Sequence, residues 1–199
     1  MSGLFIMHDA AFINDIRFIL SKLPRLRQSF FFTAKLLDKV EELVRQFLIN
    51  PVKISVKTGN TAANIDQDIV HVPSDKKAKF QVLVEHVSRP GFDKVLVFGR
   101  TKFGVEKIAT TLFSFGIKAD SIHGNKSQNY RQKALQKFKR GEVKVLVATD
   151  VAARGLDING VSHVINFDLP ANYDDYIHRI GRTGRADKKG IALTFVDRD

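Results

Sequence analysis

From residue 69 to the end of the chain, short apolar runs typical of β-strands alternate with stretches whose apolar residues recur at helical spacing. One helical stripe covers residues 105–113 and another covers residues 130–138, the second with Ser127 as its N-cap. This alternation predicts an α/β fold in which right-handed β–α–β units build a parallel sheet flanked by helices. Two runs, residues 95–98 and 143–148, are so apolar that we expect them at the centre of the sheet. The predicted strands are residues 69–72, 95–98, 119–122, 143–148, 163–167 and 191–196.

The first 56 residues have a different pattern. Residues 11–20, and residues 40–48 after Asp38 as N-cap, carry apolar side chains at helical spacing, and residues 29–32 form a short β-type run. A single strand leaves both of its edges unpaired, so this helix–strand–helix piece is predicted to belong to a larger fold. Residues 57–68 are polar, contain Gly and Asn and show no periodicity, which is typical of a linker.

Composition excludes several classes of protein. The 199 residues are enough to bury a core, and the absence of Cys rules out disulfide frameworks, thiol nucleophiles and cysteine-based metal sites. The six His residues form no H-E-x-x-H pattern, so no metal site is predicted. With no signal-peptide pattern and no apolar stretch of about 20 residues, we expect a cytoplasmic protein with no membrane partner. The net charge of +11 favours a polyanionic partner such as nucleic acid.

Gly, hydroxyl and cationic residues follow three of the predicted strands, at residues 99–102, at residues 123–128 with Arg131 one helical turn later, and at residues 149–157. Any one of these loops is explained by ordinary turn and capping chemistry. Because the carboxyl ends of parallel strands meet at one edge of a sheet, the three together are expected to form one surface. Backbone at Gly can approach a phosphate closely, hydroxyl groups bind its oxygens and cations neutralise its charge. The sequence therefore predicts a surface for a sugar–phosphate backbone.

Residues 178–185, His-Arg-Ile-Gly-Arg-Thr-Gly-Arg, place four cationic or potentially cationic side chains within eight positions. The interleaved Gly residues favour a backbone pressed against a ligand over a loose, solvated basic loop. If residues 173–180 are helical, Arg182 and Arg185 lie just past the helix end and one turn apart. Both side chains can then reach a single phosphoryl group.

Residues 178–185, together with Ala-Thr-Asp-Val-Ala-Ala-Arg-Gly-Leu-Asp at 148–157, closely resemble motifs VI and V of the DEAD-box RNA helicases. Residues 95–102 resemble motif IV, and residues 123–128 with Arg131 resemble the HG and QxxR motifs, in wording close to the RhlE-like bacterial branch. The resemblance covers nearly the whole chain. It implies that residues 69–199 form the second RecA-like domain, that residues 1–56 are the end of the first one, around motif III, and that the activity is ATP-dependent RNA unwinding.

The resemblance also implies roles for residues near the nucleotide. The arginines that match Arg182 and Arg185 touch the γ-phosphate of ATP, and His178 resembles the histidine that couples the nucleotide state to the first domain. Asp157 and Gly155 match the nucleotide-binding part of motif V, with Asp157 at the ribose.

For RNA, the resemblance implies contacts with sugar and phosphate, and hence weak sequence preference. Arg154 matches a residue that links across to the DEAD motif of the first domain. The positions implied to contact RNA are Arg100, Thr101, Gly124, Gln128, Arg131 and Thr149.

Two parts of the implied enzyme have no counterpart in this sequence. There is no G-x-x-x-x-G-K-[ST] loop for the ATP phosphates and no DEAD motif for Mg²⁺. We therefore expect ATP and Mg²⁺ to bind only together with a first RecA-like domain, in the same chain or in another, and we expect no ATPase activity from this chain alone. Because the chain stops at Asp199, directly after the last predicted strand, we also expect it to be a piece of a longer protein.

Motif III is altered at two positions predicted to face the other domain. Thr33-Ala34-Lys35 stands where the family has Ser-Ala-Thr. Thr33 keeps a hydroxyl group, whereas Lys35 replaces a small hydroxyl side chain with a long cation. Lys35 therefore puts in question the coupling of hydrolysis to strand separation, which is ascribed to this motif.

Two alternatives stay open at this point. The chain could be a non-enzymatic RNA-binding module whose basic surface binds phosphates weakly and with steep salt dependence. In the other alternative, residues 1–56 form an interaction arm whose Phe-rich run pairs with a second copy, giving a dimer, or with a separately encoded first domain. A flavodoxin-like domain with no RNA role is disfavoured, because such a domain has no need of the cations at 178–185.

Overall fold

The computed structural model of the chain describes residues 13–24, 27–30, 38–54, 64–156, 158, 160–184 and 189–198. The chain divides into two compact units, Met1–Lys57 and Thr58–Asp199. Four of the predicted site residues lie outside the described residues, namely Thr33, Lys35, Asp157 and Arg185.

The first unit contains helices α1 (Ile13–Lys22) and α2 (Asp38–Phe47), each close to a predicted helix. The Arg17 guanidinium donates a 2.8 Å hydrogen bond to the Glu42 carboxylate, which ties α1 to α2. A strand is predicted at residues 29–32, of which the structure describes residues 29 and 30. These two residues have no regular secondary structure. A strand needs a neighbour to supply its ladder of hydrogen bonds.

The second unit is built on strands β1 (Ile65–Val72), β2 (Val95–Phe98), β3 (Ala119–Ile122), β4 (Val145–Ala148), β5 (His163–Asn166) and β6 (Gly190–Asp197). They form one six-stranded sheet in the order β1-β6-β5-β2-β4-β3, and every pair is parallel. The predicted α/β fold with a parallel sheet is confirmed. So is the central position of β2 and β4, which each have a strand on both sides.

Strand β1 starts four positions earlier than predicted, so residues 65–68 belong to the sheet and not to the predicted linker. Its whole length pairs with β6, from Ile65 opposite Gly190 to Val72 opposite Asp197. The polar residues at 66–68 hid the strand from the sequence pattern. They are tolerated because β1 is an edge strand whose side chains there are exposed.

The helices of this unit are α3 (Lys76–Ser88), α4 (Lys102–Ser114), α5 (Gln128–Arg140), α6 (Asp150–Ala153) and α7 (Tyr173–Ile180). Helix α3 was not predicted, although Phe80, Leu83, Val84 and Val87 have helical spacing. Asp75 begins it by accepting a 2.8 Å hydrogen bond from the Ala78 N–H.

The core lies on both faces of the sheet. Along β2, Val95 and Val97 belong to one apolar cluster and Leu96 and Phe98 to the other, as the two-residue period of a strand requires. Helices α3 and α4 cover the first face, and α5 and α6 cover the second. Burial on both faces fixes the register of the central strands, and with it the positions of the loops that follow them.

Candidate functional site

The loops that follow β2, β3 and β4 are joined by hydrogen bonds at the carboxyl edge of the sheet. The Gly99 N–H donates to the Ala148 carbonyl at 3.1 Å, and the Thr149 N–H donates to the Ile122 carbonyl at 3.3 Å. The Lys102 ammonium donates to the Asn125 side chain at 3.2 Å. The three loops therefore form one surface, as the sequence predicted. Of the residues expected to contact RNA, Arg100, Thr101, Gly124 and Gln128 are exposed there, and Arg131 and Thr149 are partly buried.

Two predicted hydroxyl ligands on this surface also begin helices. Thr101 Oγ1 accepts from the Gly104 N–H at 3.0 Å, and Thr149 Oγ1 accepts from the Ala152 N–H at 3.4 Å. A hydroxyl that accepts one hydrogen bond still has its own proton to donate. Capping therefore orients each hydroxyl group and leaves it able to bind a phosphate oxygen.

Arg131 connects two of the loops. Its Nη1 donates to Gln128 Oε1 at 3.3 Å, and its Nη2 donates to the Ala152 carbonyl at 3.4 Å. The Nε atom is buried and has no hydrogen-bond partner. Arg131 thus joins the first turn of α5 to α6, and its guanidinium is held near the exposed Gln128.

The Glu106 carboxylate, which the sequence analysis did not single out, holds the loop after β3 in place. It accepts hydrogen bonds from Ser121 Oγ at 2.6 Å, His123 Nε2 at 3.0 Å and Lys126 Nζ at 3.0 Å. Partial burial raises the pKa of Glu106, but the three donors outweigh it and lower that pKa from 4.5 to about 2. A single carboxylate on α4 thereby fixes both sides of Gly124.

Replacing Glu106 with Gln should make the stability of the domain less sensitive to acid. A carboxyl group whose pKa is lowered on folding stabilises the protein above its unfolded pKa, and that contribution is lost as the pH falls from about 4.5 to about 2. Because the Glu106 side chain is 42% exposed, we expect a loss of about 1 kcal/mol in the free energy of unfolding at neutral pH. Urea unfolding of wild type and variant at about pH 6 and about pH 3 measures this difference in the free energy of unfolding.

The matched control is Glu85→Gln, at an exposed position on α3. The difference between wild type and Glu106→Gln should shrink on acidification, while the control follows wild type at both pH values. A difference that stays constant with pH would contradict the role given to Glu106.

A shallow groove lies between α6 and α7, beside the end of β2. Its four cationic or potentially cationic lining residues belong to the segments that resemble motifs V and VI, namely Arg154, His178, Arg179 and Arg182. The full lining is Phe98, Asp150, Ala153, Arg154, Asp175, His178, Arg179 and Arg182.

Arg179 is buried and is directed away from solvent. Its side chain is 2% exposed and forms a two-pronged ion pair with Asp150, with Nε to Oδ1 at 2.6 Å and Nη2 to Oδ2 at 2.8 Å. Nη1 donates to Asn166 Oδ1 at 3.2 Å and to the Asp168 carbonyl at 2.6 Å, and the guanidinium lies 5.1 Å from the centre of the Phe98 ring. Arg179 is therefore an internal brace between α7 and α6, and its charge is neutralised within the chain.

Arg154 forms the second link between these helices. Its Nη2 donates to Asp175 Oδ1 at 2.8 Å, and the Arg154 side chain is 51% exposed. Asp175 is held by Asn172, the N-cap of α7, whose amide group donates to the other carboxylate oxygen at 2.9 Å. In this structure, the residue predicted to face the DEAD motif is paired with an acid of its own domain.

Arg182 lies just past the end of α7, as the sequence predicted for a helix over residues 173–180. Its Nη1 donates to the Leu156 carbonyl at 2.7 Å, which joins it to the segment after α6. His178 is exposed on the last turn of α7. Gly155 has a φ of 73°, and no atom lies within 4 Å of the point where a Cβ would be, so the backbone there is open to a ligand.

One interpretation of motif VI needs correction. The Gly residues between its arginines were taken to indicate a backbone pressed against a ligand. Gly184 has a φ of 66°, and a Cβ there would lie 2.6 Å from the Ile65 side chain. The close approach at Gly184 is therefore to strand β1 of the same chain, and the glycine is required by packing.

The hydrogen-bond donors and cations of the groove suit the phosphate groups of a nucleotide. Arg154, His178 and Arg182 supply cations, and Gly155 leaves its backbone accessible. The two acids in the lining, Asp150 and Asp175, are each paired with an arginine of the chain. In the described ranges, the groove included, no group of three or more His, Asp or Glu is arranged to hold a metal ion.

Comparison with known proteins decides the family. Residues 78–187, more than half of the chain, match the model of the family described as helicase conserved C-terminal domain. The chain belongs to this helicase family. The match covers the sheet loops and the groove described above, and it begins inside α3.

Solved structures place this helicase domain among the DEAD-box proteins and confirm the RecA-like fold. It is 42% identical to the E. coli DEAD-box protein SrmB in its complex with regulator of ribonuclease activity A, with a TM-score of 0.64, covering 67% of this chain and 78% of that one. It is 31% identical to S. cerevisiae Dbp5 bound to RNA and ADP BeF3, with a TM-score of 0.74, covering 94% of this chain and 48% of that one.

Among curated relatives, the DEAD-box ATP-dependent RNA helicase CshA of Geobacillus kaustophilus (strain HTA426) is 45% identical over 191 residues. The matched region covers 96% of this chain but 40% of that protein, so the chain spans about two fifths of such a relative. These relatives carry the name CshA, so they support the DEAD-box family without singling out the RhlE-like branch. None of the helices in the described part of the chain is long and apolar enough to cross a membrane.

Proposed function

We propose that this chain is the C-terminal RecA-like part of an ATP-dependent RNA helicase, which binds the RNA backbone and supplies arginines to ATP held by a first RecA-like domain. One observation carries the proposal: hydrogen bonds join the loops after β2, β3 and β4 into a single surface at the carboxyl edge of the sheet. The groove of Arg154, His178 and Arg182 follows β4 and β5 at the same edge. RNA and nucleotide would then bind to adjoining parts of one rigid edge.

RNA binding would use contacts that do not read the base sequence. The exposed Arg100 side chain can neutralise a phosphate, while its N–H is held by Asp168 at 2.8 Å, which fixes the backbone of the loop. Hydroxyl groups from Thr101 and Thr149 and open backbone at Gly124 complete a surface for sugar and phosphate. Weak sequence preference follows from this set of donors.

Nucleotide binding would need residues from two domains. In such an enzyme, ATP with Mg²⁺ supplies the phosphoryl group that is transferred to water. Arg182 and Arg185 would neutralise charge on that group, and Asp157 and Gly155 would border the ribose side. His178 and Arg154 are proposed to face the first domain, and Thr33 and Lys35 are proposed as interdomain residues that belong to the first domain. For Arg154, that role would require it to exchange its pairing with Asp175.

RNA affinity should fall when the two proposed arginine contacts are removed together. We expect the combined change Arg100→Ala and Arg131→Ala to weaken binding of single-stranded RNA about tenfold or more at low salt. The slope of log affinity against log salt should become less steep by about 1.4, because each of the two lost phosphate contacts contributes about 0.7. Fluorescence anisotropy with labelled RNA, with and without ATP–Mg²⁺, measures both quantities.

Arg89→Ala is the control, since Arg89 is an exposed arginine at the C-terminal end of α3. ATP–Mg²⁺ should not change the affinity of the chain alone. An ATP-dependent increase would show that the chain holds nucleotide without a first domain. Equal affinities for wild type and the double variant would remove the proposed RNA surface.

The other expectations from the sequence stay predictions. They are the RhlE-like branch, a cytoplasmic location, the division after residue 56, and a dimer formed through residues 1–56. The non-enzymatic alternative predicts salt-sensitive RNA binding but no ATP hydrolysis after a first domain is added, so the hydrolysis assay described in the Discussion separates it from the helicase.

A further inference from the structure

Helix α5 is strongly basic and carries no acidic residue. Its sequence, QNYRQKALQKFKR, contains five cationic side chains. Three of them, Lys133, Lys137 and Arg140, are spaced i, i+4, i+7 and are all exposed, whereas Ala134 and Phe138 on the inner side are in the core. These three residues, the α5 stripe, form a continuous row of positive charge on the solvent side of the helix.

Two of the three cations of the α5 stripe form no ion pair within the described part of the chain. Within the described residues, Lys133 and Lys137 have no acidic partner, and Arg140 reaches only Glu142, at a distance of 3.7 Å. Like charges at i and i+4 destabilise a helix. An ordinary solvated helix surface mixes charges of both signs, whereas this row has only one, and so it is complementary to an extended polyanion.

The stripe continues from the proposed RNA surface. It starts one turn after Tyr130, whose ring lies 4.3 Å from the Lys126 ammonium and whose hydroxyl donates to Asp120 at 2.7 Å. Lys126 belongs to the loop after β3, on which Gly124 and Gln128 lie. From Lys133 to Arg140 the row extends about 10 Å along the helix axis, away from the sheet edge.

We propose that the α5 stripe is a second phosphate-binding track for single-stranded RNA, one that binds nucleotides beyond those held at the sheet edge. The inference rests on the proposed function, because the track is useful only if RNA first occupies that edge. Phosphates are favoured as the ligand because the stripe offers three separated cationic side chains and no acidic one. The track adds affinity and salt dependence only for RNA long enough to reach it.

The test compares RNA of two lengths, about 6 and about 20 nucleotides, on the whole chain. The variant combines Lys133→Ala, Lys137→Ala and Arg140→Ala. Its matched control combines Lys76→Ala, Lys77→Ala and Arg89→Ala, which removes the same exposed charges at the two ends of α3, on the other face of the sheet. Affinity is measured by anisotropy over a range of salt concentrations, and circular dichroism checks that each variant is folded.

For the longer RNA, we expect the stripe variant to bind about tenfold more weakly than wild type. The slope of log affinity against log salt should become less steep by about 2, because each of the three lost contacts contributes about 0.7. The short RNA should bind the stripe variant and the control with affinities that differ by less than about threefold. An equal loss for both lengths, or no loss for the longer RNA, overturns the track while leaving RNA binding at the sheet edge intact. Failure of the wild type to bind either RNA overturns the proposed RNA function, and the track with it.

Discussion

Replacing Arg179 with Ala should lower the free energy of unfolding by about 3–5 kcal/mol, the usual cost of removing one partner from a buried ion pair. The Arg179 side chain is 2% exposed and satisfies Asp150, Asn166 and the Asp168 carbonyl, all of which would lose a donor. Urea unfolding followed by circular dichroism measures the change.

The structure supplies a matched control in the same pair of helices. Arg154 also joins the α6 region to α7 through an aspartate, Asp175, but the Arg154 side chain is 51% exposed. Arg154→Ala should therefore cost at most about 1 kcal/mol. Similar losses for the two variants would mean that burial does not set the strength of these links, contrary to the role of Arg179 as an internal brace.

The second large effect concerns ATP turnover by the assembled enzyme. Adding a first RecA-like domain from a DEAD-box RNA helicase to this chain, with RNA, should produce ATP hydrolysis that neither part shows alone. In that mixture, Arg182→Ala should reduce the rate of hydrolysis by about 10³-fold or more, the range attributed to arginines that stabilise a transferring phosphoryl group. Single-turnover hydrolysis of ATP measures the rate.

Two comparisons make the Arg182 result specific. Arg182→Lys keeps the charge but loses the planar fork of donors, so it should also be severely impaired. Arg89→Ala should retain the wild-type rate. Because Arg182 also donates to the Leu156 carbonyl, each variant needs an unfolding curve. A loss of less than about tenfold in a folded Arg182→Ala variant would remove it from the proposed catalytic role.

Much of this domain was readable from its sequence. The strands at 95–98 and 119–122 have the predicted bounds, because continuous or alternating apolar runs bounded by Gly and polar loops leave little freedom in placing a buried strand. Helix α5 begins directly after Ser127, which caps it as predicted. The sheet-edge surface followed from a general rule, that parallel strands bring their carboxyl ends together.

Other features depended on partners distant in sequence. Residues 66–68 of strand β1 are polar, and they form a strand because β6, more than a hundred residues later, pairs with them. The run at 29–32 shows no strand in its described half, where the structure records no strand pairing. The apolar residues of α3 have helical spacing, which indicates a helix. The pattern is weak because polar and apolar residues are mixed around the helix.

The motifs show which features can be predicted from the sequence and which depend on tertiary structure. Sequence alone determined the family, the parallel α/β fold and the edge of the sheet that carries the loops, because periodicity and motif spacing are local properties of the chain. It treated the cations of residues 178–185 as one ligand-facing group. Only the folded chain separated Arg179, which neutralises Asp150 in the interior, from Arg182 in the groove, and only packing against Ile65 explained Gly184. A charged side chain is neutralised inside the domain when folding brings an oppositely charged residue beside it. Otherwise its charge stays available to a ligand.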